Sequence, residues 1–316
     1  MEFDFIASLR AIATDPAARG LLDDAAVLEI GGTRLVLTHD MIVEGVHFLS
    51  SDPPEDVAWK LIAVNLSDLA AKGATPVGLL MGYTLGQDDW NATFARGFAD
   101  ASKFFNAPLL GGDTVSILPG EKRSFGLTAI GRSDGPVPSR AGARSGDTLW
   151  VSGTIGDAGA GLRVALGEIP GSETLLARYH RPQPRLHLGR ALAPLVSAMM
   201  DVSDGLLLDA ARMAQASNLA LSVDLAAVPL SPDYLQACGS DERARLDAAV
   251  AGDDYELLFS IDDANSTAVQ DIARGLGAQI SRVGRFAEGA GIRLLNEGAD
   301  LPLPPSLGWQ HAAEPD

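Results

Sequence analysis

Apolar and polar positions along this chain switch repeatedly between a period of two and a helical period. Arg34–Thr38 is a run of β-branched and apolar residues, read as a strand that delivers His39 and Asp40 at its end. Pro53, Pro54, Glu55 and Asp56 open a helix with an acidic first turn, and Gly73 closes it as a left-handed cap. On that helix Leu61, Asn65, Asp68 and Lys72 recur at helical spacing, so Asn65 and Asp68 share a face and need polar partners. Val77–Leu85 reads as a strand. The helix beginning at Asp88 or Asp89 carries an apolar stripe of Trp90, Phe94, Phe98, Ala101 and Phe105, which belongs in a core. Leu109 and Leu110 run into Gly111, Gly112 and Asp113, and Phe125–Gly131 is a further strand.

The segment Asp134–Gly146, rich in Gly, Pro, Ser and Arg, separates this block from the next and places a domain boundary at 138/139, giving units 1–138 and 139–316. Beyond it, Thr148–Ser152 is a strand, and the glycine-rich stretch Gly153–Gly161 turns into a helix. Ala198–Val202 and Asp204–Gln215 repeat the strand-then-helix step across Ser203. Tyr255–Ile261 is a strand, followed by a helical stretch to Gly275 and short strands near Ile280–Arg285 and Ile292–Leu295.

With 316 residues, 47% of them hydrophobic, the chain is long enough for two packed domains. Its formal net charge of −17 argues against nucleic acid or an anionic membrane surface as a partner. Cys238 is the only cysteine, which excludes an intrachain disulfide and a thiolate zinc site. The N-terminus lacks the pattern of a secretory signal and no segment approaches 18 uninterrupted apolar residues, so a cytoplasmic location is expected.

Charge also has a pattern. Acidic residues recur in short Gly-, Ser- or Thr-marked contexts at Asp23 and Asp24, Asp40, Asp68, Asp113, Asp201 and Asp204, and Asp253 and Asp254. Taken singly such aspartates cap helices and turns; taken together, at strand ends and on a helix face, they suit convergence on hard cations. Several Mg²⁺ ions and a polyphosphate substrate are the chemistry implied. The glycines from Gly153 form neither a phosphate-binding loop nor a dinucleotide fingerprint, and serve either close packing or phosphate contact. His39 and His47 flank Glu44, but the histidine spacing does not make a zinc site.

The stretches THDMIVEGVHF (38–48), KLIAVNLSDLAAKGA (60–74), GGDT (111–114), DVSDGL (201–206) and GDDYELLF (252–259) together resemble the thiamine-monophosphate kinase family, in order and spacing, from about Asp23 to Trp309. That family belongs to the superfamily of aminoimidazole ribonucleotide synthetase. The resemblance implies a two-domain fold: an N-terminal α+β domain with a mixed sheet and helices, dimerising through its sheets, and a C-terminal α/β domain. It also implies direct in-line transfer of the ATP γ-phosphoryl group to thiamine monophosphate, with ATP as co-substrate, several Mg²⁺ ions and a homodimer. Asp24, Thr38, His39, Asp40, Asp68, Asp113, Asp201 and Asp204 match the metal ligands. Gly112, Arg140 and Ser203 match ATP contacts, and His47, Asp253 and Trp309 the thiamine-phosphate side. No catalytic general base is implied.

Three departures from the family pattern stand out. Leu21 and Leu22 stand where glycine is usual, His39 replaces a hydroxyl residue, and Asp253 replaces glutamate. Other members of the superfamily are rivals, but Cys238 fits neither the N-terminal cysteine expected of a selenophosphate synthetase nor the C-terminal cysteine of a hydrogenase-maturation member. A non-catalytic nucleotide or metal sensor is the rival from another class.

Overall fold

The structure is a computed structural model in which residues 2–118 and 120–310 are described. Five strands, β1 (Ala26–Ile30), β2 (Thr33–Val43), β3 (Thr75–Leu85), β4 (Leu109–Ser116) and β5 (Ser124–Ser133), form the first sheet in the order β1-β2-β5-β3-β4. Only β3 and β4 pair in parallel. With it go helices α1 (Glu2–Arg10), α2 (Pro54–Ala71) and α3 (Asp88–Phe104).

Seven strands form the second sheet: β6 (Thr148–Ser152), β7 (Ala198–Asp201), β8 (Ala220–Asp224), β9 (Leu257–Ile261), β10 (Ile280–Ala287), β11 (Gly291–Asn296) and β12 (Ala299–Leu301). Their order is β12-β11-β8-β10-β6-β9-β7, and only β8 and β11 pair in parallel. The helices of this half are α4 (Asp157–Ala165), α5 (Glu173–His180), α6 (Leu186–Leu192), α7 (Leu206–Ala216), α8 (Pro232–Cys238), α9 (Glu242–Val250) and α10 (Ser266–Gly275). The chain crosses between sheets from Ser133 to Thr148. No helix among the described residues is long and apolar enough to cross a membrane.

Helix α2 organises the molecule. Every residue from Val57 to Ala71 is buried, because one side packs on β2 and β5 while the C-terminal end joins Trp150, Leu188, Met199 and Phe259 of the second half. A helix covered on all sides needs apolar residues all round, and here they are interrupted only by Lys60, Asn65, Ser67 and Asp68. The stripe on α3 buries Phe94, Phe98 and Ala101, with Trp90 and Phe105 partly buried against the same core. Phe125 stacks 4.8 Å from Tyr83 and lies 5.0 Å from Phe94. Each such ring contributes about 1.5–3 kcal/mol through burial.

Several boundaries differ from the sequence reading. Strand β2 does not end at Asp40 but continues to Val43, so Thr38 and Asp40 project on one face and His39 on the other. Helix α7 starts at Leu206, leaving 203–205 as a loop in which Gly205 has φ 117. Strand β9 starts at Leu257, after a segment in which Asp253 (φ 71) and Tyr255 (φ 51) take left-handed backbone. The glycine-rich stretch serves packing: a Cβ on Gly161 would lie 2.1 Å from the Leu175 carbonyl oxygen and one on Gly156 2.5 Å from the Ala248 side chain.

Candidate active site

Two buried acids just before β1 open the site. Asp23 and Asp24 meet the ammonium of Lys72, which follows α2: Nζ lies 2.5 Å from Asp23 Oδ1 and 2.7 Å from Asp24 Oδ2. Arg140, in the crossing between sheets, also pairs with Asp24, and Arg19 lies 2.5 Å from Asp23. Burial alone would raise the Asp23 carboxyl, but Lys72 and Arg19 outweigh it and hold the group below the ordinary carboxylate range.

Facing this pair, β2 and α2 bring their polar residues together. Thr38 Oγ1 donates to Asp68, and the Asp40 backbone N–H donates to Asn65 Oδ1 at 2.9 Å. These are the partners that the shared face of Asn65 and Asp68 requires. Asp201, the last residue of β7, joins them from the second sheet and is 4% exposed. Burial, and then Asp40, Asp201 and Asp24, push the Asp68 carboxyl far up. Burial followed by Asp24 pushes Asp201 up to about 8. Burial, partly relieved by His39 and reinforced by Asp24 and Asp204, pushes Asp40 up to about 6. Three carboxyls of one sign thus crowd one another, two of them, Asp68 and Asp201, buried.

The loop after β7 is shaped by a residue that the motifs did not single out. Asp209, fully buried on α7, accepts from the Ser203 N–H at 3.1 Å and the Asp204 N–H at 3.0 Å, while Arg212 pairs with both Asp204 and Asp209. Its signal was an acid in the first turn of a helix directly after DVSDG. The C-terminal segment docks on the same loop, Trp309 N–H donating to the Asp204 carbonyl at 2.8 Å. This sets the Trp309 and His47 rings 6.2 Å apart. Asp253 completes that corner: its N–H donates to the Ser203 carbonyl at 2.8 Å and its carboxylate takes Lys60 Nζ at 2.6 Å.

The structure therefore brings together Asp24, Thr38, Asp40, Asp68, Asp201, Asp204, Arg140 and Ser203, with His47, Asp253 and Trp309 beside them. His39 departs: its ring bonds Thr128 Oγ1 at 2.9 Å on the opposite face of the sheet, so only its backbone is turned toward the cluster's strand. Gly112 and Asp113 also stand apart, on the exposed edge strand β4. Asp40 aligns with Leu127, then Met81, then Gly112, which puts Gly112 roughly 14 Å from Asp40 at three strand spacings. Glycine at 112 has a packing reason of its own, since a Cβ there would lie 2.0 Å from the Met81 carbonyl oxygen. Lys60 and Lys72, missed as site residues, were marked only as lysines in an apolar helical pattern.

The donor set fits a hard divalent cation, because it offers crowded carboxylates in Asp40, Asp68 and Asp201. Among the described residues no three acidic or histidine side chains already enclose one ion. Mg²⁺ takes one or two carboxylates and completes its shell with water and substrate phosphate. Arg140 adds an anion-binding feature, a buried Nε with no acceptor.

Two family profiles match the chain in succession, AIR synthase related protein N-terminal domain over residues 22–133 and AIR synthase related protein C-terminal domain over residues 144–295. The fold is that of this two-domain class. The thiamine-monophosphate kinase of Caulobacter vibrioides is 42% identical over 98% of this chain and 90% of its own length. A solved AaThiL complexed with AMPPCP and TMP is 31% identical with a TM-score of 0.85, covering 98% of this chain and 97% of that one. The thiamine-monophosphate kinase structure from Stenotrophomonas maltophilia K279a is 36% identical with a TM-score of 0.78, covering 94% and 96%. The chain belongs to the thiamine-monophosphate kinase family.

Proposed function

We propose that this chain transfers the γ-phosphoryl group of ATP to thiamine monophosphate, giving thiamine diphosphate and ADP. The observation that carries the reading is the carboxyl cluster of partly buried Asp40 with buried Asp68 and Asp201, drawn from both halves and crowded against one another, beside an Arg140 with a spare donor. Asp24, Thr38, Asp40, Asp68, Asp201 and Asp204 are the residues that would hold Mg²⁺, and the His39 ring, bonded to Thr128 on the other face, would take no part. Mg²⁺ bound there offsets the repulsion between two phosphates brought into contact.

The chain's own groups then position the reactants. Arg140 takes a phosphate oxygen of ATP, and the Ser203–Asp204 loop, fixed by Asp209, closes over it. His47, Asp253 and Trp309 hold the organic half of the acceptor. An oxygen of the acceptor phosphate attacks the γ-phosphorus, the bond to the β,γ-bridging oxygen breaks, and ADP leaves with that electron pair. The attacking oxygen is already anionic at neutral pH, so no general base is required.

Gly112 and Asp113 enter through a second copy of the chain. The sheet bearing them exposes Met41, Leu80, Leu109, Leu110 and Val115, an apolar surface suited to burial in a homodimer. A groove of about 680 Å³ beside β4, lined by Met81, Phe94, Phe98 and Thr114, suits the purine of the nucleotide.

Product analysis with ATP and Mg²⁺ tests the function. Thiamine monophosphate is expected to give thiamine diphosphate with stoichiometric ADP, and thiamine to turn over far more slowly because its neutral hydroxyl lacks a base. Thiamine converted to its monophosphate at a comparable rate refutes the assignment.

A further inference from the structure

Lys60 sits in the first half of α2 among apolar neighbours and is 2% exposed. Its ammonium donates to the His47 carbonyl at 2.9 Å and to Asp253 Oδ2 at 2.6 Å, and lies 4.3 Å from the centre of the Tyr179 ring. These partners come from the loop after β2, the segment before β9 and helix α5. One buried charge thus joins both halves of the molecule at one corner of the crevice. Filling the space alone does not account for it, since a methionine of similar length would do so without desolvating an ammonium.

The two members of the ion pair differ in access. The Lys60 side chain is 3% exposed and that of Asp253 29%, so the lysine stands behind the acid. Asp253 is held by Lys60 at one oxygen and by the Tyr255 hydroxyl at the other, 3.2 Å away, and each oxygen keeps a further lone pair. Its left-handed backbone, φ 71, also needs surroundings that hold it.

We propose that Lys60 is a positioning residue for the acceptor: it fixes the Asp253 carboxylate and the His47 loop so that the free Asp253 lone pairs meet an amino-bearing or cationic heterocycle. This rests on the kinase reading above and, within it, on Asp253 facing the acceptor. The short acid belongs to the same arrangement. A glutamate at 253 would carry its carboxylate about 1.5 Å further, past the point where Lys60 holds it.

The test is steady-state kinetics on the full-length chain with thiamine monophosphate and ATP varied in turn, beside thermal melts. Lys60→Met is expected to raise KM for thiamine monophosphate by about 10- to 100-fold, the worth of one charged hydrogen bond, with KM for ATP changed by less than about twofold. Lys60→Gln, which keeps a donor, recovers part of the loss. The double variant Lys60→Met/Asp253→Asn removes both charges, keeps the test open where the single variant folds poorly, and should match Asp253→Asn alone. An equal rise in both KM values, a lower melting temperature with both KM values unchanged, or a double variant worse than Asp253→Asn by the full Lys60→Met factor would overturn the proposal. Asp253→Asn with an unchanged KM for thiamine monophosphate removes the acceptor-facing reading and this proposal with it. Absence of wild-type turnover removes the kinase reading itself.

Discussion

Replacing Asp201 by asparagine separates the stability of the fold from its chemistry. Asp201 is buried, and its carboxyl is pushed up to about 8 by burial and by Asp24. In the unfolded chain an aspartate titrates near 3.9. The folded value lies above the unfolded one, so the favourable contribution is complete below about pH 4 and is lost as pH rises toward about 8. For an isolated group the loss at pH 8 would reach about 5 kcal/mol, since each tenfold change in proton affinity is worth about 1.36 kcal/mol. Asp40 and Asp68 press on the same space, and a proton taken up by one relieves the others. One Asp201→Asn substitution is therefore expected to stabilise the metal-free fold by about 1–3 kcal/mol at pH 8, or about 3–10 °C in melting temperature.

The assay is a set of thermal melts in chelator from pH 5 to pH 8, repeated with Mg²⁺ and ATP. Wild type should melt progressively lower as pH rises in chelator, and Asp201→Asn should melt higher than wild type at pH 8 with a gap that closes toward pH 5. Mg²⁺ with ATP should raise wild type through linkage and raise the variant less, while turnover by the variant falls by at least about 100-fold. A variant less stable than wild type at pH 8 in chelator, or a gap that does not change with pH, refutes the picture of mutually repelling carboxyls.

Glu256→Gln should do the opposite, because this buried acid is held by Arg178 Nη2 at 2.7 Å, Arg185 Nε at 2.7 Å and the Ser152 hydroxyl at 2.6 Å. Burial opposes its charge, but Arg185 and Arg178 win and lower it, so its stabilisation is present above about pH 4.5 and is lost as pH falls through the folded value; urea titrations should show a loss of about 3–5 kcal/mol at pH 7 that shrinks in acid. His39→Ser should change turnover and its Mg²⁺ dependence by less than about twofold, since the ring faces the other side of the sheet, and a larger change in Mg²⁺ titrations would give that side chain a place in the site. Asp68→Asn and Asp113→Asn, each inactive alone, should recover up to about a quarter of wild-type turnover when refolded together, because half of the dimers then carry one intact composite site; no recovery in the mixture would place Asp113 outside the partner's site.

The acids of the crevice were legible as a group because each needs a local context that leaves its mark: a strand followed by a turn for Asp201 and Asp204, an otherwise apolar helix face for Asp68, an alternating strand for Thr38 and Asp40. Their grouping was not legible from the residues alone. Asp23, Lys72 and Arg140 meet although 49 and 117 residues separate Asp23 from the other two, and no local period encodes such a contact. The same limit hid β1, β8 and β12, which are only three to five residues long. It also hid α5, α6, α8 and α9, of seven to nine residues, for which the sequence pattern yielded no element. Asp113 shows the converse. Its GGDT context is as distinctive as the others, yet the fold leaves it on an exposed edge, because β4 pairs on one side only.

Acidic residues of one type therefore perform two jobs that composition cannot tell apart. Asp23 and Glu256 sit against cations of the protein, are held low, and tie elements together whether or not a ligand is present. Asp40, Asp68 and Asp201 sit against one another, are held high, and repel one another when charged. A surface acid needs neither arrangement. The second kind is costly to keep, and it is concentrated where α2 and β2 of the first half meet the end of β7 from the second. On the proposed kinase reading, Mg²⁺ and substrate phosphate bound among these carboxyls would offset that cost.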